Sequence, residues 1–221
     1  MVDAACPGPI GWVCWGKAAL RRTESGHYPG AGPGEGAVMP QQRRPELSLA
    51  EWLVLCLVSE RPMHGFAIAC LLAENGGLGR IWHVRKMVVY RAAHRLEQLG
   101  LIMASDKQPT SQGPARVPLW ATPEGRQAAG AWLRQPACHA RDIRSELLLK
   151  MALLDRVGAD PQDLLQAQRS QLTPIASALA DQISAATGFD QVLLQWRYES
   201  VSATLRFLDA LLATAPAPRT G

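Results

Sequence analysis

Basic side chains are concentrated between residues 80 and 116, and their most evident chemistry is the binding of phosphate groups. This window holds seven Lys or Arg residues against two acids and so carries +5, whereas the whole 221-residue chain carries +4. Localised positive charge is typical of nucleic-acid binding, although a cationic face is often only solvated. The residues predicted to contact double-stranded DNA are Arg85, Lys86, Val88, Tyr90, Arg91, Arg95, Lys107 and Arg116.

The apolar spacing predicts that most of these side chains stand on one helix, over residues 84–100. The residues of its packing face recur at i, i+3, i+4, i+7 and i+10: Val89, Ala92, Ala93, Leu96 and Leu99. The basic residues fall on the other face. Gly100 then ends the helix, because glycine most easily adopts the left-handed conformation.

Two further helices are predicted upstream. Ser48 and Glu51 form a capping box, with Leu47 and Trp52 as a hydrophobic staple, and the first helix runs to about Ser59. After a break at Pro62 and Gly65, a second helix runs from Phe66 to about Glu74. It is apolar nearly all round, which predicts burial. Three short helices with tight turns, the last one basic, indicate a helix-turn-helix.

Two strands are predicted after Gly100, over residues 101–105 and 117–121. Pro118 favours an edge position for the second strand, because proline donates no backbone hydrogen bond. The turn-rich segment between them carries Lys107 and Arg116, as expected for a β-wing that meets the backbone or minor groove of flanking DNA. Thr122 caps the next helix, which reaches about Arg134.

The rest of the chain is predicted to be helical. One helix covers 141–157 and closes at Gly158; another starts at Asp160-Pro161, with Pro174 bending or splitting it. Asp190 caps the last helix, with Phe189 and Leu194 as a second staple. That helix carries a heptad seam that is the predicted dimerisation surface: Leu194, Tyr198, Val201, Leu205, Leu208 and Leu212.

A weaker heptad row, Leu165, Leu172 and Leu179, lies on the preceding helix. The two rows could simply pack the helices together, but a seam that also meets a second copy of the chain is favoured, since a long helical hairpin has little else to cover its outer side. We therefore expect a mainly α protein: a winged helix over 47–135, a helical dimerisation region over 140–213, and disordered tails at 1–46 and 214–221. The Gly- and Pro-rich first segment also suggests that translation starts at Met39.

Composition restricts the class of protein further. No run approaches the length of a membrane span, and no secretory signal is recognisable. The five scattered cysteines lack any C-x-x-C pair, which argues against a disulfide framework and a zinc site and favours the cytoplasm. Neither a nucleophile–base pairing nor a phosphate-binding glycine loop is present, so neither an enzyme nor a bound cofactor or metal is expected.

The chain resembles the PadR family of bacterial transcriptional regulators over about residues 47–213. The matching segments are Pro62-Met63-His64-Gly65-Phe66, Val89-Tyr90-Arg91, Leu96-Glu97-Gln98-Leu99-Gly100-Leu101-Ile102, Ala121-Thr122-Pro123-Glu124-Gly125-Arg126, and Arg141-Asp142 with Glu146-Leu147-Leu148-Leu149-Lys150. The resemblance implies a homodimeric winged-helix repressor of a two-fold symmetric operator. It also implies release from DNA when a small aromatic effector binds.

The run before Tyr90 departs from the family, which often has small or polar residues there. Arg85 and Lys86 can still reach guanine edges, and Val88 or Met87 could contact a thymine methyl. Tyr90, Arg91 and Arg95 are expected at phosphates, although Tyr90 could equally pack in the core. Because base-reading groups are few, a winged-helix protein-interaction module that has lost specific DNA binding is the alternative function.

Four aromatic residues are candidates for an effector cavity: Trp82, Trp132, Trp196 and Tyr198. Large aromatic residues at helical spacing more often belong to a core or a dimer interface.

Overall fold

The computed structural model describes residues 46–104 and 117–214. Its first part contains α1 (Leu49–Glu60), β1 (Met63–His64), α2 (Gly65–Leu71), α3 (Lys86–Gln98), β2 (Ile102–Ala104), β3 (Pro118–Ala121) and α4 (Pro123–Arg134). A 3-10 turn (Ala140–Asp142) then leads to α5 (Ile143–Arg156), α6 (Gln162–Ala185) and α7 (Gly188–Thr214). The expected fold class, mainly α with a small β-wing, is confirmed.

The predicted capping box starts α1. The backbone N–H of Ser48 donates to Oε2 of Glu51 at 2.6 Å, and the N–H of Glu51 donates to Oγ of Ser48 at 3.4 Å. Each interaction satisfies a donor that a helix N-terminus otherwise leaves unpaired. The residues that follow are almost all buried, so α1 forms the centre of the first core.

The second helix is shorter and more exposed than predicted. It ends at Leu71 rather than near Glu74, and its Phe66 and Cys70 side chains are exposed. The remaining link to α3 is a series of turns held by backbone hydrogen bonds, including the N–H of Val84 to the carbonyl of Leu72. The prediction that the second helix is buried was therefore wrong, since only its Ile68 and Ala69 side chains are buried.

The sheet has three antiparallel strands in the order β1-β3-β2. Pro118 was predicted to mark an edge strand, but β3 is central, because the two-residue β1 pairs with its other side. Pro118 is accommodated because it is the first residue of its strand, opposite His64. Lys107 and Arg116, predicted to bind DNA from the wing, lie outside the described residues.

Three predicted helix ends are confirmed. The hydroxyl oxygen of Thr122 accepts from the N–H of Gly125 at 3.1 Å at the start of α4. After α3 and α5, Gly100 and Gly158 adopt φ of +69° and +66°, the left-handed region that favours glycine. Two other predictions were wrong. Helix α7 starts at Gly188, so Asp190 lies inside its first turn, and Phe189 is exposed rather than stapled to Leu194.

Helices α6 and α7 form an antiparallel hairpin around the second core. Pro174 does not split α6, which runs unbroken through it. The seam of α7 faces the heptad row of α6: Val201 and Leu208 are buried in the same cluster as Leu165, Leu172 and Leu179. Leu194, Tyr198, Leu205 and Leu212 are partly buried against this cluster. The heptad seam therefore packs within the chain.

Short contacts connect the winged helix, and the segment directly after it, to the helices that follow. Arg156 of α5 donates two hydrogen bonds to Glu60 of α1, at 2.9 and 2.7 Å. The buried amide of Gln168 pairs with the backbone of Ala137, accepting at 2.7 Å and donating at 3.2 Å. None of the helices in the described ranges is long and apolar enough to cross a membrane.

Candidate nucleic-acid interface

Helix α3 separates its apolar and basic residues onto two faces, as predicted. Val89, Ala92, Ala93 and Leu96 are buried in the first core, whereas Arg85, Lys86, Arg91 and Arg95 are exposed. Arg85 occupies the N-cap position without making a side-chain cap bond. Within the described residues, the guanidinium groups of Arg85 and Arg91 form no ion pair, so both are available to an anionic ligand.

The ammonium group of Lys86 lies between two aromatic rings. It is 5.4 Å from the ring centroid of Phe66 and 5.9 Å from that of Tyr90. Both distances fall in the cation–π range, which restricts an otherwise flexible side chain. The structure therefore places Lys86 at a defined position beside the start of α3.

Tyr90 reaches this position because the chain at Gly65 has no side chain. A Cβ atom on Gly65 would lie 2.8 Å from Cε1 of Tyr90, closer than carbon atoms can approach without displacement. The Tyr90 ring thus packs on the backbone at the start of α2 and stays 42% exposed. Tyr90 therefore faces outward and is not a core residue, so its side chain is accessible to a ligand at the predicted interface.

Val88 and Met87 differ in their environment. Val88, predicted to contact DNA, is partly buried against the first core cluster. Met87 is 72% exposed and lies one position nearer the start of the helix. Of these two candidates for contact with a thymine methyl group, Met87 is the more accessible.

Arg95, predicted to bind a phosphate, already has an anionic partner. Its Nε atom lies 3.2 Å from Oε1 of Glu51, the capping-box residue of α1. The Arg95 side chain is half exposed and that of Glu51 is almost fully buried. The sequence did not indicate this pair, because its members are distant in the chain. In addition, the capping box already gave Glu51 a role that does not require Arg95.

The four aromatic residues predicted to bind an effector lie in different environments. Trp82 packs against the first core, Tyr198 against the second, and Trp196 is 71% exposed on α7. Trp132 is buried, stacked on Trp52 at 5.3 Å between ring centroids. The ammonium group of Lys150 also lies over the Trp132 ring at 4.4 Å.

An open cavity of about 380 Å³ lies elsewhere, between the end of α1, the sheet and the start of α4. Met103 and Trp120, paired across β2 and β3, line it together with Arg61 and Arg126. Its residues combine an exposed indole with two guanidinium groups. Sequence reasoning missed this cavity, because its lining comes from three separate segments.

The described residues contain no group of three or more His, Cys, Asp or Glu that could hold a metal ion.

A helix-turn-helix with an exposed basic α3 and an adjoining antiparallel sheet is the architecture of a DNA-binding winged helix. Residues 54–131 match the model of the transcriptional regulator PadR-like family. Over these residues the chain is similar to the PadR-like family of transcriptional regulators, which confirms the resemblance seen in the sequence.

Solved structures include PadR-family proteins similar to this chain. Bacillus subtilis PadR in complex with operator DNA is 17% identical, with a TM-score of 0.39, covering 75% of this chain and 98% of that chain. The same protein in complex with p-coumaric acid is 18% identical, with a TM-score of 0.34, covering 74% and 93%. A PadR-like transcriptional regulator from Bacillus cereus is 17% identical, with a TM-score of 0.34, covering 81% and 98%. No curated protein matches the chain.

Proposed function

We propose that this protein is a cytoplasmic transcriptional repressor that binds a two-fold symmetric DNA operator as a homodimer. The observation that carries the proposal is the exposed basic face of α3, on which Arg85, Lys86 and Arg91 have no acidic partner among the described residues. Phosphate neutralisation supplies most of the affinity of such a surface. The match of residues 54–131 to a family of transcriptional regulators supports the same function.

The side chains of α3 have distinct roles in this proposal. Arg85, at the start of the helix, reads a base edge, since the first turn of a recognition helix meets the bases and Arg–guanine is the commonest specific pair. Lys86 also reaches into the groove. Tyr90 and Arg91 hold phosphates and set the register. Arg95 can also contact a phosphate, but its guanidinium group is then divided between that phosphate and the Glu51 carboxylate. Val88 supports the helix from beneath, and Lys107 and Arg116 contribute from the wing.

A second copy of the chain would cover the outer side of α7. Because a helix turns by about 100° per residue, Phe189, Val192, Trp196 and Phe207 form one stripe opposite the heptad seam. All four are exposed, from 41% to 77%. We infer that the seam first predicted as the dimer surface holds the hairpin together, while this outer stripe meets the partner. Trp196 then serves dimerisation rather than effector binding.

Selection of bound sites from random duplex DNA, followed by affinity measurement on the selected site, tests this function. With about six phosphates neutralised per dimer, log affinity should fall with log salt at a slope near −5. Arg85→Ala should weaken binding about tenfold or more and relax the preference at one base pair. Arg206→Ala, which removes an exposed charge of the same kind from α7, is the matched control and should change little.

A selected site with inverted half-sites would support the homodimer. Failure to bind duplex DNA even at low salt would overturn the proposal. That result would favour the alternative, a winged-helix module that acts through protein contacts.

We further propose that a small aromatic molecule releases the DNA. The open cavity beside Trp120 has suitable chemistry, because an indole can stack on a planar ring and Arg61 and Arg126 can pair with an anionic substituent. Trp132 is less suitable, since Trp52 and Lys150 already lie over its ring. Titration with planar aromatic acids should quench tryptophan fluorescence in the wild type and not in Trp120→Leu. Quenching by none of them would remove the effector from the proposal.

A further inference from the structure

Two exposed aromatic rings, of Phe66 and Tyr90, lie beside Lys86, and the exposed Met87 follows Lys86 on α3. Phe66 is 59% exposed, Met87 is 72% exposed and Tyr90 is 42% exposed. Exposed apolar groups that adjoin one another mark an interaction surface more often than scattered ones do. Lys86 connects the two rings, because its ammonium group lies 5.4 Å from the Phe66 ring centroid and 5.9 Å from that of Tyr90. Met87 and Tyr90 are three residues apart on α3 and so lie on the same side of that helix.

We propose that Phe66 and Met87 read the C5 methyl groups of thymine in the major groove, with Lys86 held between Phe66 and Tyr90 beside them. The inference deepens the DNA-binding function proposed above and rests on it. It adds two specificity residues, of which Phe66 lies on α2 rather than on the recognition helix.

The chemistry of the two side chains selects this ligand. Neither Phe66 nor Met87 has a side-chain group that can donate a strong hydrogen bond, so neither can read the polar edges of adenine, guanine or cytosine. The methyl group of thymine is the distinctive apolar feature of the major groove. An exposed methionine in the first turn of a recognition helix, with an exposed phenylalanine on the helix before it, is therefore suited to thymine.

Charge argues for DNA as the occupant of this surface rather than an apolar protein partner. Arg85 and Arg91, both exposed, flank the patch on α3, and neither has an acidic partner in the described part of the chain. A duplex offers apolar methyl groups a few ångströms from phosphates, which matches apolar residues set among cations. The aromatic rings also restrict the conformations of the Lys86 side chain, because each ring attracts its ammonium group.

The experiment uses the full chain and two random duplex libraries that are identical except that one contains uracil in place of thymine. Uracil keeps every hydrogen-bonding group of thymine and lacks only the methyl group. Sites selected from the thymine library are then resynthesised with uracil at single positions, and affinities are compared. We expect affinity to fall about fourfold for each methyl group that the protein covers, as for the burial of one such group.

Variants of Phe66 and Met87 test whether these two residues cause the difference in affinity between thymine and uracil sites. In Phe66→Ala and Met87→Gln, the ratio of thymine to uracil affinity should approach one at the position each residue covers, while the salt dependence of binding stays unchanged. Val157→Ala, at an exposed valine outside this patch, is the control and should keep the wild-type ratio. Far-UV circular dichroism establishes that each variant is folded, which the exposure of the substituted side chains favours.

The outcomes separate the two proposals. If the protein binds neither library at low salt, DNA binding itself is wrong and the patch serves another partner. If both libraries yield the same sites with equal affinity, DNA binding stands and methyl readout is overturned. A methyl effect that persists unchanged in both variants would overturn the assignment to Phe66 and Met87.

Discussion

Arg95 of the basic helix α3 and Glu51 at the start of α1 form an ion pair, with Nε 3.2 Å from Oε1. The other carboxylate oxygen of Glu51 accepts from the backbone N–H and the hydroxyl of Ser48, at 2.6 and 2.8 Å. One buried carboxylate therefore completes the cap of α1 and holds α3 against it. This arrangement links the position of α3 to the N-terminal cap of α1.

Replacement of Glu51 by Gln should reduce the free energy of unfolding by about 1–3 kcal/mol, because it weakens both the cap and the ion pair. Arg95→Ala should cost less than about 1 kcal/mol, since the Arg95 side chain is 51% exposed and water can replace its partner. Urea denaturation measures both. Glu97→Gln, at an exposed acid of the same helix, is the control and should change stability little.

A double variant of Glu51 and Arg95 tests whether the two groups are coupled. If they are, its loss of stability will be smaller than the two single losses added together. Additive losses would mean that the ion pair contributes nothing measurable and that Glu51 acts through the cap alone.

Lys150 is fully buried on α5, where three groups of other residues surround its ammonium group. It donates to the carbonyl of Gln135 at 2.7 Å and to Oε1 of Glu146 at 2.6 Å, and lies over the Trp132 ring. Lys150→Met keeps an unbranched apolar chain that is one atom shorter, and leaves the Glu146 carboxylate without its cation. We expect a loss of about 1–3 kcal/mol, moderated because Glu146 is partly exposed, as measured by urea denaturation at neutral pH. Lys150→Met combined with Glu146→Gln should recover part of it.

The pH dependence of the same variant has a defined sign. Burial lowers the pKa of Lys150 below its ordinary value of 10.5, against the opposing effect of Glu146. Between the folded-state pKa and 10.5 the unfolded chain therefore binds more protons than the folded chain. The stability of the wild type relative to Lys150→Met should rise with pH across that window. Denaturation curves of both proteins from about pH 8 upward measure the difference, and a flat or falling difference would contradict the placement of Lys150.

Cys56 of α1 is the least reactive thiol expected among the described cysteines. Burial, assisted by the nearby Glu60 carboxylate, raises the pKa of its thiol to about 12 from 9.0. Cys70 and Cys138 are exposed. Maleimide labelling of the native protein at about pH 8, followed by peptide mass spectrometry, should modify Cys70 and Cys138 well before Cys56, because the thiolate is the reacting form. Unfolding in urea should abolish the difference; equal native rates would show that α1 opens readily.

The same shift makes Cys56 a source of alkaline instability. Its folded-state pKa is raised, so the stability it contributes is complete below pH 9.0 and is lost as pH rises toward about 12. Cys56→Ala should therefore show a weaker loss of stability above pH 9.0 than the wild type.

Local signals allowed much of the fold to be predicted from the sequence. Ser48, Thr122, Gly100 and Gly158 each act within one helical turn of their own position, so their roles follow from residue type and spacing. The amphipathic pattern of α3 was sufficient to identify its buried and exposed faces. The features that failed depend on distant segments. Pro118 became central only because β1 pairs with β3, and β1 is too short to be recognised from its own two residues.

The candidate site was predicted in part for the same reason. The exposed cations of α3 follow from helical periodicity, whereas the partner of Arg95 and the rings beside Lys86 come from α1 and α2. Phe66 was expected to be buried because α2 is apolar, but only Ile68 and Ala69 of that helix are buried. Periodicity revealed the seam of α7 but could not say whether α6 or a second chain covers it.

The outer stripe of α7 offers the clearest test of assembly. Phe189 and Trp196 are 77% and 71% exposed, on the side opposite the buried Val201 and Leu208. If a second copy covers this stripe, Trp196→Ser should raise the dimer dissociation constant at least about tenfold, because large aromatic residues dominate the energy of an interface. Sedimentation velocity over a range of concentrations measures the constant. Phe66→Ser, an equivalent change at an exposed aromatic residue of α2, should leave it unchanged.

Leu205→Ser distinguishes the two faces of α7. Leu205 packs against the second core within the chain, so its substitution should lower the free energy of unfolding by about 2–4 kcal/mol. Trp196→Ser should leave the free energy of unfolding of the monomer nearly unchanged, because the Trp196 side chain is 71% exposed within one chain. A dimer that survives Trp196→Ser and the Phe189→Ser, Trp196→Ser double variant would place the partner elsewhere. Such a result would favour the first prediction, in which the heptad seam of α7 also contacts the second chain.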